Sequence, residues 1–500
     1  MTVRRDREDD DLIYDDLTYD DNDRDPGRDR NNRELMVTVY IFLFLFVSLI
    51  LYFAYFVQFR APKQIVSSYN MRQKNLENSV IRGTIYSDNK EVLAREALKD
   101  GAEIRNYPYA SLFAHVVGFS TYGNYGLEKT ANIELLTSNA PVDERLGKEM
   151  AGVRNTGDDI YTSLNISLQK TAYDVLANYR GAAIVMEAKT GRILAMVSKP
   201  DFDPNTVSEN WAKITENEDE AALVNRCTAG LYPPGSTFKT VTLLEYLREH
   251  DLDGSDYAYS CNGSFVKDDS RIECYHGSVH GTVDLLRSYA KSCNCSFANI
   301  GAMLDIPRFE DTADSLLFGR ALPVESDYKR SSFALNSSSD TDEILQTSIG
   351  QGKTLMTPMH LALITQAIAN DGEMMRATLI DRQENYLGTV IREQKPSVYR
   401  RVMKEDEAKM LKSYMLDVVS EGTGKKLQSP YYTAAGKTGS AEYGSEKGKS
   451  HAWFTGFSQT GSPDIVVTII IEKAGSGGDY AVPAAKRIFD AYYGVSAGGF

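Results

Sequence analysis

The longest apolar stretch of the chain runs from Leu35 to Phe59 and contains no charged residue. About 20 such residues in a helix span the hydrocarbon core of a bilayer, and the stretch is longer than the core of a signal peptide. No small-x-small cleavage site follows it, so we predict an uncleaved transmembrane anchor over residues 35–59. Residues 1–34 hold 13 Asp/Glu and 7 Arg and few apolar residues. This composition predicts a disordered acidic tail.

Beyond the anchor, the hydrophobic pattern alternates between helical and strand periods. Gln64–Asn78 reads as a polar helix, and Arg82–Ala94 as two short strands around a polar turn. Further elements are predicted as a strand Ile160–Leu164, a helix Ser167–Tyr179, a hairpin Ala182–Ala188 and Arg192–Val197 turned at Lys189–Gly191, a helix Met359–Asn370, strands His451–Phe457 and Asp464–Ile471, and a closing helix Ala484–Tyr493.

Strands near both ends of this region, with helices between them, indicate an α+β fold in which helices flank an antiparallel sheet. A length of 500 residues predicts more than one folded unit. We place an N-terminal unit at residues 60–157 and a larger one at 158–500. The formal net charge of −14 and the lack of a basic stripe argue against nucleic-acid binding.

Three short motifs carry the candidate chemistry, in the order Ser236-Thr-Phe-Lys239, Ser292-Cys-Asn294 and Lys437-Thr-Gly-Ser440. A serine becomes a nucleophile when a base removes its proton. On a helix, Lys239 lies one turn from Ser236, and partial burial beside apolar neighbours would lower the pKa of its amine. A helix beginning at Ser236 would also aim backbone N–H groups at a developing oxyanion.

The second and third motifs supply the remaining groups. Ser292 is suited to relay a proton, and Asn294 to hydrogen-bond a substrate amide. Lys437 supplies a fixed positive charge, and the hydroxyls of Thr438 and Ser440 suit a carboxylate. Gly439 removes a side chain where a substrate would lie along a strand, and the backbone N–H of Ser440 would complete an oxyanion hole with that of Ser236.

The five cysteines, at positions 227, 261, 274, 293 and 295, leave three readings open. Cys261 and Cys274 flank a polar loop, and a disulfide between them is plausible outside the cell. A zinc site would combine Cys261 and Cys274 with His276 or His280 and with Cys293 or Cys295, although these spacings fit no common zinc module. Free thiols are the third reading. The three motifs require neither a metal ion nor a cofactor, and we predict neither.

Together these motifs resemble the class B penicillin-binding proteins, which are monofunctional peptidoglycan D,D-transpeptidases. The resemblance extends from Leu35 to the C-terminus and includes further segments, namely Asn70-Met-Arg72, Arg82-Gly-Thr-Ile85, Tyr125-Gly-Leu-Glu128, Gly350-Gln-Gly352 before Thr357-Pro358, His280-Gly281 and Trp453-Phe-Thr-Gly-Phe457. It implies a penicillin-recognising transpeptidase domain on an elongated pedestal that resembles a dimerisation domain.

The resemblance also implies an activity and a location. Ser236 would form an acyl-enzyme with stem peptides and be acylated by β-lactams, in cell-wall synthesis during elongation, division or sporulation. The N-terminus would be cytoplasmic, the catalytic part extracytoplasmic, and a membrane-bound glycan polymerase a partner.

Rival functions share parts of this pattern. A D,D-carboxypeptidase would use the same residues with water as acceptor. A catalytically silent cell-wall scaffold would not require all of the motif residues. A class A β-lactamase needs a Glu-x-x-x-Asn segment, which is missing between the second and third motifs. A penicillin sensor would need a cytoplasmic signalling domain, which a 34-residue acidic tail does not provide.

Overall fold

The computed structural model describes residues 26–55, 79–99, 101–217, 220–443 and 449–495. The chain divides into two units, residues 1–70 and 71–500. In the first, helix α1 covers Pro26–Tyr55. Its segment Arg33–Phe53 is long and apolar enough to cross a membrane.

Helix α1 begins earlier than the sequence pattern indicated. The disordered tail was expected to extend to residue 34, but α1 already includes residues 26–34. Proline is well suited to the first turn of a helix because its missing N–H would have no intrahelical partner there. The rest of the tail, the end of the predicted anchor at residues 56–59 and the predicted helix Gln64–Asn78 lie outside the described residues.

The second unit combines strands and helices throughout. Its strands are β1 Val80–Ile81, β2 Ile85–Tyr86, β3 Val92–Lys99, β4 Ala102–Asn106, β5 Asn155–Thr156, β6 Asp159–Thr162, β7 Gly181–Glu187, β8 Ile193–Lys199, β9 Ala258–Cys261, β10 Ser264–Lys267, β11 Ser270–Glu273, β12 Gly281–Asp284, β13 Glu373–Met375, β14 Ile380–Glu384, β15 Val390–Glu393, β16 Val398–Arg401, β17 Thr433–Glu442, β18 Ser450–Gln459 and β19 Pro463–Ile471. Its α-helices are α2 Leu127–Thr130, α3 Asn132–Leu135, α4 Val142–Met150, α5 Ile166–Leu176, α6 Val207–Glu216, α7 Arg226–Ala229, α8 Lys239–Glu249, α9 Leu285–Ala290, α10 Asn294–Gly301, α11 Ile306–Ser315, α12 Thr341–Ser348, α13 Pro358–Ala369, α14 Glu405–Ser420 and α15 Ala481–Tyr492.

A five-stranded antiparallel sheet with the order β17-β18-β19-β7-β8 forms the centre of this unit. Alternate side chains of β7 enter two different apolar cores. Ala182, Ile184 and Met186 belong to one core, and Ala183 and Val185 to the other. Because successive side chains of a strand point to opposite faces, the sheet is covered on both sides. The predicted α+β class, with helices flanking an antiparallel sheet, is confirmed.

Helices from distant parts of the chain cover the two faces. Helices α5 and α15 pack together over β8 and β19 on one face. Helix α13 contacts β7, β18 and β19 from the other face, where α8 also contributes to the core. The first and third sequence motifs therefore meet where β17, an edge strand of this sheet, contacts the turn Gly235–Phe238 that leads into α8.

A second, six-stranded sheet has the order β15-β14-β6-β2-β3-β4. Strand β6 pairs in parallel with β2 and antiparallel with β14, so that Ile160 lies opposite both Ile85 and Gln383. The sheet thus joins strands from both sides of the domain boundary that the sequence predicts at residues 157 and 158.

Beside this sheet, Glu128 is fully buried between two arginines. Its carboxylate accepts hydrogen bonds from Arg82 Nε at 2.5 Å and from Arg105 Nε at 2.7 Å. Burial would raise the pKa of Glu128, but Arg105 and Arg82 together hold it below the usual range. The motif residues Arg82 and Glu128, far apart in sequence, therefore form one buried ionic contact.

Candidate active site

The first motif begins in a 3₁₀ turn, Gly235–Phe238, here called the nucleophile turn, which leads directly into α8. Gly235 has a φ of +54°, and a Cβ on it would lie 3.0 Å from the carbonyl oxygen of Ser440. Its N–H donates to the carbonyl of Gly350 at 2.8 Å, and a Cβ on Gly350 would lie 1.8 Å from the Gly235 carbonyl oxygen. Glycine alone fits both contacts. The turn that carries Ser236 is therefore held by close backbone approaches on two sides.

A buried ionic group supports the segment just before this turn. Glu472 accepts hydrogen bonds from the Tyr232 hydroxyl and from Arg226 Nε, each at 2.8 Å. Burial would raise the pKa of Glu472, but these two partners lower it. The indole N–H of Trp453 donates to the Pro233 carbonyl at 3.1 Å. Sequence analysis missed Arg226 and Glu472, because nothing in the local pattern links residues so far apart.

Ser292 occupies the turn between α9 and α10 in a left-handed conformation, with φ of +56°. This region is unfavourable for a residue with a side chain. It is held by hydrogen bonds from the Ser292 N–H to the Tyr289 carbonyl at 3.0 Å and from the Cys293 N–H to the Ser288 carbonyl at 2.9 Å. Backbone strain of this kind is often found at functional sites.

The amine of Lys239 is fully buried and faces the second motif. It donates to the Ser292 carbonyl at 2.8 Å and to Asn294 Oδ1 at 2.7 Å. In the part of the chain that the structure describes, none of its hydrogen bonds goes to Ser236. Burial lowers the pKa of Lys239 to about 8. The lowered pKa of this amine was expected from the sequence, and the role of Lys239 as the base stays a prediction.

Asn294 makes hydrogen bonds within the protein from both ends of its amide. Its Nδ2 donates to the carbonyl of Glu273 at 3.0 Å, while its Oδ1 accepts from Lys239. The second N–H of Nδ2 remains available to a ligand in the cavity, so the expected hydrogen bond to a substrate amide stays a prediction.

Lys437 on β17 is also fully buried, and its amine donates to Ser292 Oγ at 2.8 Å and to the Thr438 carbonyl at 2.9 Å. Burial, and secondarily the nearby Lys239, lowers its pKa well below the usual range. Lys239 Nζ lies 3.4 Å from the same Ser292 oxygen. The Ser292 hydroxyl thus lies between two amines, and it can accept from a charged one while donating to a neutral one.

The three motifs line one cavity of about 480 Å³. The sequence-predicted residues on its wall are Ser236, Ser292, Asn294, Thr438, Gly439 and Ser440. The two lysine amines lie behind this wall. Sequence analysis missed Thr423, whose hydroxyl lies 2.6 Å from that of Thr438. The Gly422-Thr-Gly424 run was the available signal.

The third motif also packs against the nucleophile turn. A Cβ on Gly439 would lie 3.0 Å from Thr237 Cγ2 and 3.1 Å from Trp453 Cβ. Ser440 Oγ accepts a hydrogen bond from the Gly477 N–H at 3.2 Å. The absence of a side chain at Gly439 therefore allows the turn and β17 to approach each other, in addition to leaving room along the strand.

A larger cavity of about 780 Å³ lies near the other end of α8. On its wall, Arg248 donates to Glu407 at 2.9 Å and to Thr312 at 2.7 Å. It contains none of the three motifs, so we assign the chemistry to the smaller cavity.

The Cys261–Cys274 disulfide, one of the three readings that the sequence leaves open, is not present in this structure. The sulfurs of Cys261 and Cys274 lie 3.7 Å apart, and all five cysteines are free thiols. A disulfide requires about 2.05 Å between sulfurs. The Cys274 sulfur also lies 3.7 Å from that of Cys293 and 3.4 Å from that of Cys295.

Comparison with known proteins agrees with this geometry. Residues 181–490 match the penicillin binding protein transpeptidase domain, and residues 82–160 match the penicillin binding protein A dimerisation domain. The chain is similar to peptidoglycan D,D-transpeptidase MrdA of Acinetobacter baumannii, with 29% identity covering 77% of this chain and 65% of the relative. It is also similar to peptidoglycan D,D-transpeptidase PbpA of Mycolicibacterium smegmatis, with 28% identity covering 79% of this chain and 86% of the relative.

Solved structures show the same similarity. The D,D-transpeptidase domain of a peptidoglycan glycosyltransferase from Eggerthella lenta superposes with a TM-score of 0.74 at 28% identity, covering 84% of this chain and 99% of that one. Penicillin-binding protein A from M. tuberculosis, as its penicillin G acyl-enzyme complex, gives a TM-score of 0.74 at 26% identity, covering 83% of this chain and all of that one. The resemblance to class B penicillin-binding proteins is confirmed. Since the transpeptidase match alone spans more than half of the sequence, the chain belongs to the penicillin-binding protein transpeptidase family.

Proposed function

We propose that this protein is a peptidoglycan D,D-transpeptidase that works through an acyl-enzyme on Ser236. The observation that carries the proposal is the convergence of three distant motifs on one cavity, where both lysine amines lie within hydrogen-bonding distance of Ser292 Oγ. A serine at the cavity wall backed by a buried amine of lowered pKa is the arrangement that acyl transfer requires.

In the proposed acylation, Ser236 Oγ attacks the carbonyl between the last two D-Ala residues of a stem peptide. Lys239 accepts the hydroxyl proton, and the backbone N–H groups of Ser236 and Ser440 stabilise the oxyanion. The C–N bond then breaks, and the leaving amine of D-Ala receives a proton through the Ser292 hydroxyl. The product is an ester on Ser236.

In the second half of the reaction, the amine of a neighbouring stem peptide attacks this ester. Its proton passes to Lys239, the C–O bond breaks, and Ser236 regains its proton as the cross-link forms. A β-lactam carbonyl enters the first step in the same way, but its ring nitrogen remains tethered to the ester and blocks the acceptor.

Substrate binding is assigned to the third motif. The hydroxyls of Thr438 and Thr423, with that of Ser440, would hold the terminal carboxylate, which is also attracted by the positive charge shared between Lys437 and Lys239. Both amines are buried beside the cavity. A bound anion would therefore offset the free-energy cost of burying their positive charge.

We also propose a membrane topology and a partner. The apolar segment of α1 would anchor the protein with residues 1–34 in the cytoplasm and the catalytic part outside, where peptidoglycan is assembled. The matched domains are a dimerisation and a transpeptidase domain, neither of which polymerises glycan. We therefore expect a separate membrane-bound glycan polymerase to supply the strands.

The test uses the full chain in detergent with a donor stem pentapeptide and an acceptor stem peptide. We expect release of D-Ala together with a cross-linked product, both lost in Ser236→Ala. Lys239→Ala should slow the reaction by about 10²-fold or more, the usual contribution of a general base. Replacement of the exposed Ser255 by alanine is the matched control and should change neither product.

Two results would contradict the proposal. Release of D-Ala without a cross-link would indicate a D,D-carboxypeptidase, the second candidate, which uses the same residues with water as acceptor. Absence of both products in a folded protein would indicate a scaffold.

A further inference from the structure

Tyr289 is a fully buried residue of α9 that reaches the segments of all three motifs, although it belongs to none of them. Its carbonyl accepts a hydrogen bond from the Ser292 N–H at 3.0 Å. Its hydroxyl lies 2.8 Å from that of Thr240, the residue after Lys239. The amine of Lys437 lies over its ring, 5.5 Å from the centroid. One residue thus links the turn of the second motif, the start of α8 and strand β17.

The orientation of the Tyr289 ring is fixed by its neighbours. Its centroid lies 6.0 Å from that of Tyr414 on α14, with the two rings nearly perpendicular, and 6.2 Å from that of Phe297 on α10. Aromatic pairs favour edge-on contacts of this kind. The hydrogen bond between the Tyr289 and Thr240 hydroxyls holds the far end of the side chain. The ring is therefore held in one orientation beside Lys437.

The amine of Lys437 is buried without a counter-ion in the described part of the chain. It donates to two neutral oxygens, Ser292 Oγ and the Thr438 carbonyl, and the charge that acts on it is that of a second cation, Lys239. An ammonium group has three N–H donors, so these oxygens leave one donor without an oxygen acceptor among the described residues. A buried charge without compensation is costly. The ring of Tyr289 is the remaining group that can compensate it.

An aromatic ring attracts a cation that lies over its face within about 6 Å of the centroid, and the attraction is stronger where water is excluded. Lys437 and Tyr289 meet both conditions, because both are fully buried. Lys239 differs from Lys437. Its amine lies 5.4 Å from the centroid of Phe297, but three oxygens also lie within 3.4 Å of it, enough for all its donors. The dependence on a ring is therefore greater for Lys437.

We propose that the ring of Tyr289 stabilises the positive charge of Lys437 in place of a counter-ion and is thereby a positioning residue for the substrate carboxylate. The inference rests on the proposed function, in which this charge attracts the terminal carboxylate of a stem peptide. A carboxylate beside Lys437 would neutralise the charge that the substrate needs, whereas a ring stabilises the cation and leaves its charge available. Tyr289 is not among the described residues that line the cavity, so it acts through Lys437.

The first test separates binding from acylation in the full chain in detergent. The rate of adduct formation is measured at a series of benzylpenicillin concentrations, which gives a dissociation constant for the initial complex and a limiting rate of acylation. Tyr289→Leu should raise the dissociation constant about 5-fold or more, the size expected for a buried cation–ring contact. Tyr289→Phe keeps the ring and should stay within about twofold of the wild type.

Tyr107 provides the matched control. It is a buried tyrosine whose hydroxyl accepts a hydrogen bond from the Ser120 N–H at 3.0 Å, and it contacts no motif residue. Tyr107→Leu should therefore change neither constant. Equal increases in the dissociation constant for Tyr289→Phe and Tyr289→Leu would assign the effect to the hydroxyl and refute the role of the ring. A loss confined to the limiting rate would refute it as well.

Fluorinated phenylalanines at position 289 test the charge distribution of the ring with little change in its shape. Each added fluorine withdraws negative charge from the ring face, so the dissociation constant should rise stepwise from phenylalanine to trifluorophenylalanine, by about 5-fold in total. The same series at Phe489, a fully buried ring in the core on the opposite face of the central sheet, should show no trend. A flat series at position 289 would overturn the proposal, including where Tyr289→Leu fails to fold.

The two proposals fail in different ways. A folded wild-type protein that forms no adduct would contradict the proposed function. A wild-type protein that is acylated, with the same dissociation constant throughout the fluorinated series, would contradict only the role of Tyr289. The melting temperature of each variant shows whether a change in either constant comes from loss of the fold.

Discussion

The dependence of acylation on pH follows from the burial of Lys239. Its pKa, lowered to about 8 by burial, sets the fraction of the enzyme with a neutral base. That fraction is about 1% at pH 6, about 9% at pH 7 and about 50% at pH 8. We therefore expect the acylation rate to rise about ninefold from pH 6 to 7 and about fivefold from pH 7 to 8, and to level off above pH 9.

The same pKa shows how much burial increases the fraction of Lys239 that is neutral. A lysine at its ordinary pKa near 10.5 would be about 0.03% neutral at pH 7, so burial raises the supply of base about 300-fold. Burial of this amine also lowers the free energy of unfolding. Because the folded pKa lies below the unfolded one, the fold is destabilised by about 3 kcal/mol below pH 8. That cost falls as pH rises from about 8 toward 10.5.

The assay is the second-order rate of adduct formation between the full chain and benzylpenicillin, quenched in acid and read by intact mass. Tryptophan fluorescence at each pH confirms that the protein remains folded. A rate that is constant from pH 6 to 8, or that falls with rising pH, would refute the assignment of Lys239 as the base.

Two further predictions concern how the site is held in place. Gly350→Ala puts a Cβ 1.8 Å from a carbonyl oxygen of the nucleophile turn at a positive φ, and should cost about 3 kcal/mol or more in urea unfolding and slow acylation. Gly388→Ala, also at positive φ but with open space around it, should cost only about 1–2 kcal/mol; equal losses would contradict the packing argument. Glu472→Gln leaves the buried Arg226 without its counter-ion and should cost about 3 kcal/mol, whereas Asp174→Asn in an exposed pair should stay within about 0.5 kcal/mol; a similar, small effect of both would show that the buried pair does not stabilise the site.

The local sequence pattern was sufficient to predict elements that depend only on residues close together in the chain. The hairpin of β7 and β8 was predicted correctly, because two apolar runs flank a turn whose Gly191 has a positive φ. The helix predicted at Met359–Asn370 is α13, Pro358–Ala369, capped by Thr357. In both cases the signals are turn chemistry and periodicity within a few residues.

Contacts between distant residues could not be predicted in this way. The pairing of β6 with β14 joins Ile160 to Gln383, and no local signal specifies that register. The motifs identified Lys437 and Asn294 as site residues, but not that their polar ends would bind Ser292 and Lys239 inside the protein. The direction of a side chain at a site depends on how the whole unit packs. The spacing of motifs in the sequence gives no information about that packing.

The cysteines illustrate the same limit. Spacing alone suggested a Cys261–Cys274 bridge, because those two residues flank one loop. The turn between α9 and α10 brings Cys293 to the same place, with its sulfur 3.7 Å from that of Cys274. Only the fold brings that third thiol to the other two.

The most direct test of the acyl-enzyme chemistry is intact-mass spectrometry of the full chain with and without benzylpenicillin, followed over hours and completed by peptide mapping. We predict a single adduct of one penicillin, on the peptide that contains Ser236, stable for the length of the experiment and absent from Ser236→Ala. No adduct on a folded protein, an adduct on another residue, or one that disappears within seconds would contradict the acyl-enzyme mechanism.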